Sequence, residues 1–196
     1  TKNIVVTGSH GKTTTTSLLA AIISNTKLDP TIINGGVLNS LNNSAKLGKS
    51  DWCIVEGDES DGSFIHVKPT YLIITNIDRE HMDYYKSIND LKNLFISFIN
   101  KVPSFGKLFI CADDKNNIHL LKKIKIKNYY TYGTNPKSQF HIKNIKLKKE
   151  FSQYDLAIKL PGKKNMTINK IRIPLLGLHN IRNATASAAV ATTIGI

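Results

Sequence analysis

The sequence predicts an α/β fold: a doubly wound, mainly parallel sheet of the phosphate-loop type, with a small antiparallel sheet near the C-terminal end. Three observations carry this. Apolar runs of strand length alternate with segments of helical period over most of the chain. A glycine-containing turn, "TGSHGKTTTT", joins the first apolar run to the first helical segment. From about Phe140 the texture changes to period-two alternation broken by short turn signals.

The elements follow in order. "NIVVTG" is apolar without alternation, as in a strand covered on both faces, and residues 12 to 25 read as the helix that leaves it. "PTIIN", "WCIVEG", "YLIITNI", "LFICAD" and "NYYTYG" are the further strands. In "SINDLKNLFISFINKV", Ser87 and Asp90 stand as a cap with an acidic third position. Leu91, Leu94, Phe95 and Phe98 fall on one face, which should be core. "NNIHLLKKI" is a third helix. Then "FHIKNIKLKKE", "YDLAIKL" and "MTINKIRIPL", separated by "FSQ" and "PGKKN", predict the antiparallel sheet at about 140–175. "LGLHNIRNATASAAVATTIG" closes the chain as a small-residue helix stopped by Gly195. Repeats and linkers are absent, so residues 1–196 are expected to form one domain.

Composition narrows the class. With 196 residues, 41% of them hydrophobic, the chain can bury a sizeable core. Its longest apolar runs, "SLLAAII" and "LFISFI", fall far short of a bilayer span, and no secretion signal is evident, so a soluble cytoplasmic protein is expected. Cys53 and Cys111 each lie in an apolar strand and read as buried free thiols. The net charge of +13 raises nucleic acid as a partner. Its distribution argues against that: 15 of the 27 basic residues fall within 115–172, beside only Glu150 and Asp155. There the lysines alternate with isoleucine and asparagine, as on solvated faces, with a field for an anionic ligand as the alternative. Neither nucleic acid nor membrane is expected as a partner.

Five clusters can carry chemistry. Gly8 and Gly11 free the backbone to curl with its N–H groups inward, Lys12 adds a mobile charge, and Thr13 stands in the first helical turn. Together these suit polyphosphate and its Mg²⁺. The loop is two residues shorter than G-x-x-x-x-G-K-[ST], with Val6 where the first glycine belongs, but the strand before it and the helix after it are the confirming context. In "VEGDESDGSF", Glu56 at a strand's carboxyl end suits a metal, while Asp58, Glu59 and Asp61 read equally well as a solvated loop. In "TNIDREHMDYY", His81 is a ligand or a surface residue, and Ile77 excludes the Asn-Lys-x-Asp guanine reader. In "GLHNIRNA", Asn180 and Asn183 share a helix face, either to meet a nucleotide or to cap the helix. "INGGVLNSLNNSAKLGKSD" is a long polar loop that binds substrate or simply moves.

Taken together, "TGSHGKTTTT", "NGG" with "AKLG", "EGDESDGSF", "TNIDREHMD" and "GLHNIRNA" resemble the central ATP-binding domain of the Mur ligases. The resemblance covers essentially all of the chain and includes the shortened loop. It implies that Gly8, Ser9, His10, Gly11, Lys12, Thr13 and Thr14 cradle ATP, with Asn180 and Asn183 near the nucleotide. Thr13 and Glu56 would hold one Mg²⁺ and His81 a second, and Lys12, Glu56 and His81 would be catalytic. Asn34, Gly35, Ser60 and Ser63 become candidates for substrate contact.

The "ESD" triplet and "INGG" point to the branch that joins L-alanine to UDP-N-acetylmuramate through an acyl phosphate in peptidoglycan precursor synthesis, although Gly57 stands where that branch more often has alanine. A murein tripeptide recycling ligase and a stand-alone nucleotide-binding module are the alternatives. Phe95 occupies the place of the carbamylated lysine found in many members, so none is expected. The family has flanking N- and C-terminal domains, so the chain is expected to be a central fragment, inactive by itself.

Overall fold

The strands are β1 (Lys2–Thr7), β2 (Thr31–Leu38), β3 (Asn43–Lys46), β4 (Trp52–Glu56), β5 (Tyr71–Ile74), β6 (Lys107–Cys111), β7 (Tyr129–Gly133), β8 (Phe140–Leu147), β9 (Ser152–Ile158) and β10 (Met166–Ile173). The helices are α1 (Lys12–Ser24), α2 (Ile88–Ile99), α3 (Lys115–Leu121) and α4 (Leu178–Ile194), with a 3₁₀ turn at Ser63–His66. The computed structural model describes residues 1–38 and 43–196. Among the described residues the strands form one ten-stranded sheet in the order β10-β9-β8-β7-β6-β5-β1-β4-β2-β3. From β2 across to β8 every pairing is parallel.

The apolar run of β1 follows from its central place. Ile4 and Val6 face the core beneath α1 and α4, while Val5 faces the core beneath α2 and α3, and all three are fully buried. Helix α2 starts as its sequence dictates, with the Ser87 side chain accepting from the Asp90 N–H. Phe95 and Phe98 then pack on Phe64 of the 3₁₀ turn, with ring centroids 5.2 and 4.8 Å apart.

Three expectations change. The antiparallel strands β8–β10 are present, but β8 pairs in parallel with β7 through Tyr132↔Phe140 and Gly133↔His141, so they extend the main sheet instead of standing apart. The stretch from Gly35, expected as a loop, continues β2 and returns as antiparallel β3; the tip at 39–42 lies outside the described residues. Cys53 is only partly buried, unlike Cys111, whose thiol is pushed up to about 11 by burial. No helix among the described residues is long and apolar enough to cross a membrane.

Helices α1 and α4 lie side by side on one face of the sheet. The contact is close because α4 buries small residues, Ala184, Ser187 and Ala191 among them. Ser187 Oγ sits 3.0 Å from the Thr15 carbonyl of α1 and 3.1 Å from that of Asn183 in its own helix. Ser187→Leu should therefore overpack this seam and lower unfolding stability by ~1–3 kcal/mol. Ser187→Ala should cost no more than about 1 kcal/mol. Urea denaturation of the two variants checks both the sign and the order.

Candidate active site

The carboxyl ends of β1, β2, β4, β5 and β6 open on the same edge of the sheet, where ligands of doubly wound folds collect. The loop from β1 to α1 is shaped by two glycines. Gly8 has φ 129°, and a Cβ there would lie 2.2 Å from Thr75 Oγ1; Gly11 has φ 83°, and a Cβ there would lie 2.6 Å from Asn183 Oδ1. The segment after β5 straps the loop from outside. Ser9 N–H donates to the Asn76 carbonyl at 2.9 Å, and His10 N–H to Asn76 Oδ1 at 2.9 Å. Asn76 Nδ2 and Thr75 Oγ1 both donate to the His10 carbonyl, at 2.9 and 2.7 Å. Asp78 N–H closes the strap on Ser9 Oγ at 2.8 Å.

Inside this curl, Ser9 to Thr14 line a cavity of about 260 Å³. Helix α1 begins there with Gly11 at its cap, no side-chain cap bond and no acidic residue in its first turn. Its leading N–H groups and dipole are thus left for an anion. A second cavity of about 440 Å³ adjoins it, sharing His10 and Gly11 and reaching across to Asp113, Tyr132, Arg182 and Asn183. Arg182 is fixed by its 2.7 Å bond from Nε to Asp113 Oδ2, and Asp113 also accepts from the Thr134 N–H at 2.8 Å. Burial pushes the neighbouring Asp114 carboxyl up, while it caps α3 through the Asn117 N–H at 2.7 Å.

The acidic residues divide into two groups. Glu56 accepts from Thr13 Oγ1 at 2.9 Å and from Gly35 N–H at 2.7 Å, so the pair expected to hold one cation does meet. Glu59 is fully buried and takes Lys12 Nζ at 2.7 Å, with Asp58 Oδ1 at 3.8 Å from the same ammonium. His81, held at φ 55°, joins this second group instead of Glu56: Nε2 is 3.8 Å from Glu59 Oε1. Donor atoms of Asp58, Glu59 and His81 all lie within 4.8 Å of one another, a span that one divalent ion can fill. Glu59 Oε1 is buried without a hydrogen-bond partner, which suits a cation there. Tyr85 donates its hydroxyl to the Glu59 carbonyl; burial first, and the Glu59 charge second, push its phenol to about 12, so it remains a donor.

The remaining candidates shape the rim. Asn34 is buried, with Nδ2 on Ser17 Oγ at 3.2 Å and on the Gly36 carbonyl at 3.0 Å. Ser60 folds back on Asp58 through its N–H at 3.1 Å and its hydroxyl at 3.0 Å, and Ser63 N–H caps on Asp61 at 2.8 Å. Asn183 lines the larger cavity, whereas Asn180 turns its Nδ2 onto the Leu176 carbonyl at 2.8 Å and accepts from Asn183 at 3.4 Å. Sequence reasoning missed Glu59 as the partner of Lys12, Asn76 as the strap, and the Asp113–Arg182 pair. The last had a usable signal, since "CADD" also ends a strand on the ligand edge.

A model of the Mur ligase middle domain matches residues 6–191. The UDP-N-acetylmuramate--L-alanine ligase of Pelagibacter ubique (strain HTCC1062) is 79% identical over 196 residues, which is 100% of this chain and 42% of that protein. Two solved structures share the fold. UDP-N-acetylmuramate-alanine ligase MurC from Thermotoga maritima matches at 24% identity and a TM-score of 0.79, over 100% of this chain and 42% of that one. The UDP-N-acetylmuramate:L-alanyl-gamma-D-glutamyl-meso-diaminopimelate ligase (MPL) from Neisseria meningitides matches at 24% identity and a TM-score of 0.83, over 99% and 62%.

The loop geometry gives a direct test. Gly11 and Gly162 both have positive φ, but a Cβ at Gly162 would meet nothing within 4 Å. Gly162→Ala should cost only the left-handed backbone strain, about 1 kcal/mol. Gly11→Ala should cost clearly more, because the new methyl also displaces Asn183. Thermal unfolding of both variants measures the difference.

Proposed function

Because the chain belongs to the Mur ligase family, as a copy of its middle domain, we propose that it is the ATP-binding part of an enzyme joining L-alanine to UDP-N-acetylmuramate, with release of ADP and phosphate. The observation that carries this reading is the uncapped start of α1 beneath a glycine loop, with Lys12, Thr13 and Glu56 converging on it. The name borne by a relative 79% identical along the whole chain supports the choice of amino acid and sugar nucleotide. As the chain spans 42% of that relative, the rest of the full-length protein would supply the walls for the uridine nucleotide and for alanine. Both substrates and ATP are cytoplasmic solutes in such a pathway of peptidoglycan precursor synthesis.

The chemistry assigned to these residues is positioning and charge neutralisation, as in other phosphoryl transfers. The loop N–H groups and the α1 dipole orient the β- and γ-phosphates, and Lys12 offsets the charge that grows on the γ-phosphoryl oxygens. The sugar's lactyl carboxylate attacks the γ-phosphorus and ADP leaves; the amine of L-alanine then attacks the acyl phosphate carbonyl and expels phosphate. Thr13 and Glu56 would hold one Mg²⁺, and His81 with Asp58 and Glu59 a second. Bound there, the ions would polarise the phosphoryl oxygens. The larger cavity, walled by Arg182 and Asn183, would take the nucleoside.

Two variants of the full-length enzyme test the reading through ADP release. Lys12→Ala should lower kcat about 10²-fold, equal to ~3 kcal/mol of transition-state stabilisation, without unfolding the protein. Glu56→Gln should raise the Mg²⁺ concentration needed for half-maximal rate, because it removes a hard anionic ligand while keeping its shape. ADP release that does not depend on both UDP-N-acetylmuramate and L-alanine would refute the proposed reaction.

A further inference from the structure

Lys12, the charge assigned above to phosphate, already has a partner. Its ammonium lies 2.7 Å from Glu59 Oε2, with 13% of the lysine side chain and none of the glutamate side chain exposed. A buried pair of this kind is costly to break, because either charge left alone has lost its water. Glu59 is also fixed from behind: Tyr85 donates its hydroxyl to the Glu59 carbonyl, and Gly62 N–H donates to it at 3.2 Å. The carboxylate therefore has little freedom to swing into solvent. Its second oxygen, Oε1, is buried, lacks a hydrogen-bond partner and faces His81 Nε2 at 3.8 Å. One oxygen thus serves the lysine and the other faces His81, and donor atoms of Asp58, Glu59 and His81 lie within 4.8 Å of one another.

We propose that Glu59 is a positioning residue exchanged between two cations: it holds Lys12 while no nucleotide is bound, and it releases Lys12 to phosphate when a divalent ion seats among Asp58, Glu59 and His81. The inference rests on the loop being a nucleotide site. Without the ion, ATP must break the buried pair to reach Lys12, and with it the carboxylate keeps a positive partner after the lysine leaves. Nucleotide and ion therefore favour each other's binding, by reciprocal coupling. Asp58, more exposed and 3.8 Å from Lys12, contributes to the ion site but little to the hold on the lysine.

The experiment is equilibrium dialysis of ATP against the full-length protein, in EDTA and in Mn²⁺, with Mn²⁺ binding alone followed by the spin-resonance signal of the free ion. Glu59→Gln should tighten metal-free ATP binding on the order of tenfold and weaken binding of Mn²⁺ alone by a similar factor. The ATP gain should vanish in the Lys12→Ala background, and Asp58→Asn should give a much smaller gain. A gain that persists without Lys12, or that Asp58→Asn matches, would mean general charge repulsion and overturn the proposal. So would unchanged or weaker metal-free ATP binding by Glu59→Gln with an unaltered melting temperature. If that variant melts early, Glu59→Asp replaces it: it keeps the charge, shortens the reach to Lys12 and should give an intermediate gain, while no gain overturns the exchange. Lys12→Ala that leaves Mn²⁺-ATP affinity intact would overturn the exchange, because Lys12 would then not reach bound phosphate, whereas a full-length protein that binds no ATP with or without Mn²⁺ would refute the nucleotide reading itself.

Discussion

The backbone from Gly8 to Gly11 is confined on two sides, by Thr75 and Asn76 at the end of β5 and by Asn183 on α4, at distances that leave no room for a side-chain carbon. That confinement sets the rest of the site. The loop's outward carbonyls and N–H groups are spent on Asn76, Thr75 and Asp78, so the groups left over point inward at the start of α1. Neighbouring elements must then pack closely enough to keep the strap and α4 in place, and α4 does so with small buried residues, Ser187 meeting the Thr15 carbonyl of α1.

Charge at the site is arranged around one buried ion pair. The acidic residues at the end of β4 and just after it are divided between Thr13 and Lys12: Glu56 faces the hydroxyl, Glu59 faces the ammonium, and His81 is brought to the second group through a left-handed backbone angle. A histidine at positive φ is uncommon, and here it is held because its carbonyl accepts from both the Tyr84 and Tyr85 N–H groups. Tyr85 in turn reaches back to Glu59, so the segments after β4 and β5 brace each other around the phosphate loop.

The basic region of the chain, residues 115–172, is organised differently. Its lysines are spread over α3, the loops and strands β8 and β10, and at the edge of the sheet Lys170 and Arg172 stand exposed on β10, where charged residues blunt the pairing capacity of an edge strand. Asp155 on the middle strand of the three accepts from Asn144 Nδ2 and from Lys170 N–H, each at 2.7 Å, at the bulges of the two flanking strands. These bonds, Asn144's amide foremost, hold its carboxyl below the ordinary range. One carboxylate thus ties together the bulges on both sides of β9.

Local pattern alone determined the alternating strands and helices, the Ser87 cap, the phosphate-loop turn and the residues Ser9 to Thr14 that line its cavity, because each depends on neighbours a few positions away. The pairing of Thr13 with Glu56 was legible only through the resemblance to the Mur ligases; their contact depends on β1 and β4 being parallel neighbours, which brings the first turn of α1 to the end of β4. Tertiary structure decided what depends on distant segments: that Glu59 and not solvent receives Lys12, that Asn76 straps the loop, that Arg182 reaches Asp113, and that the antiparallel strands continue the main sheet. A carboxylate in an acidic loop and one buried against a lysine are spelled alike. Only the path of the chain settles how far each is withdrawn from water and which charge stands opposite.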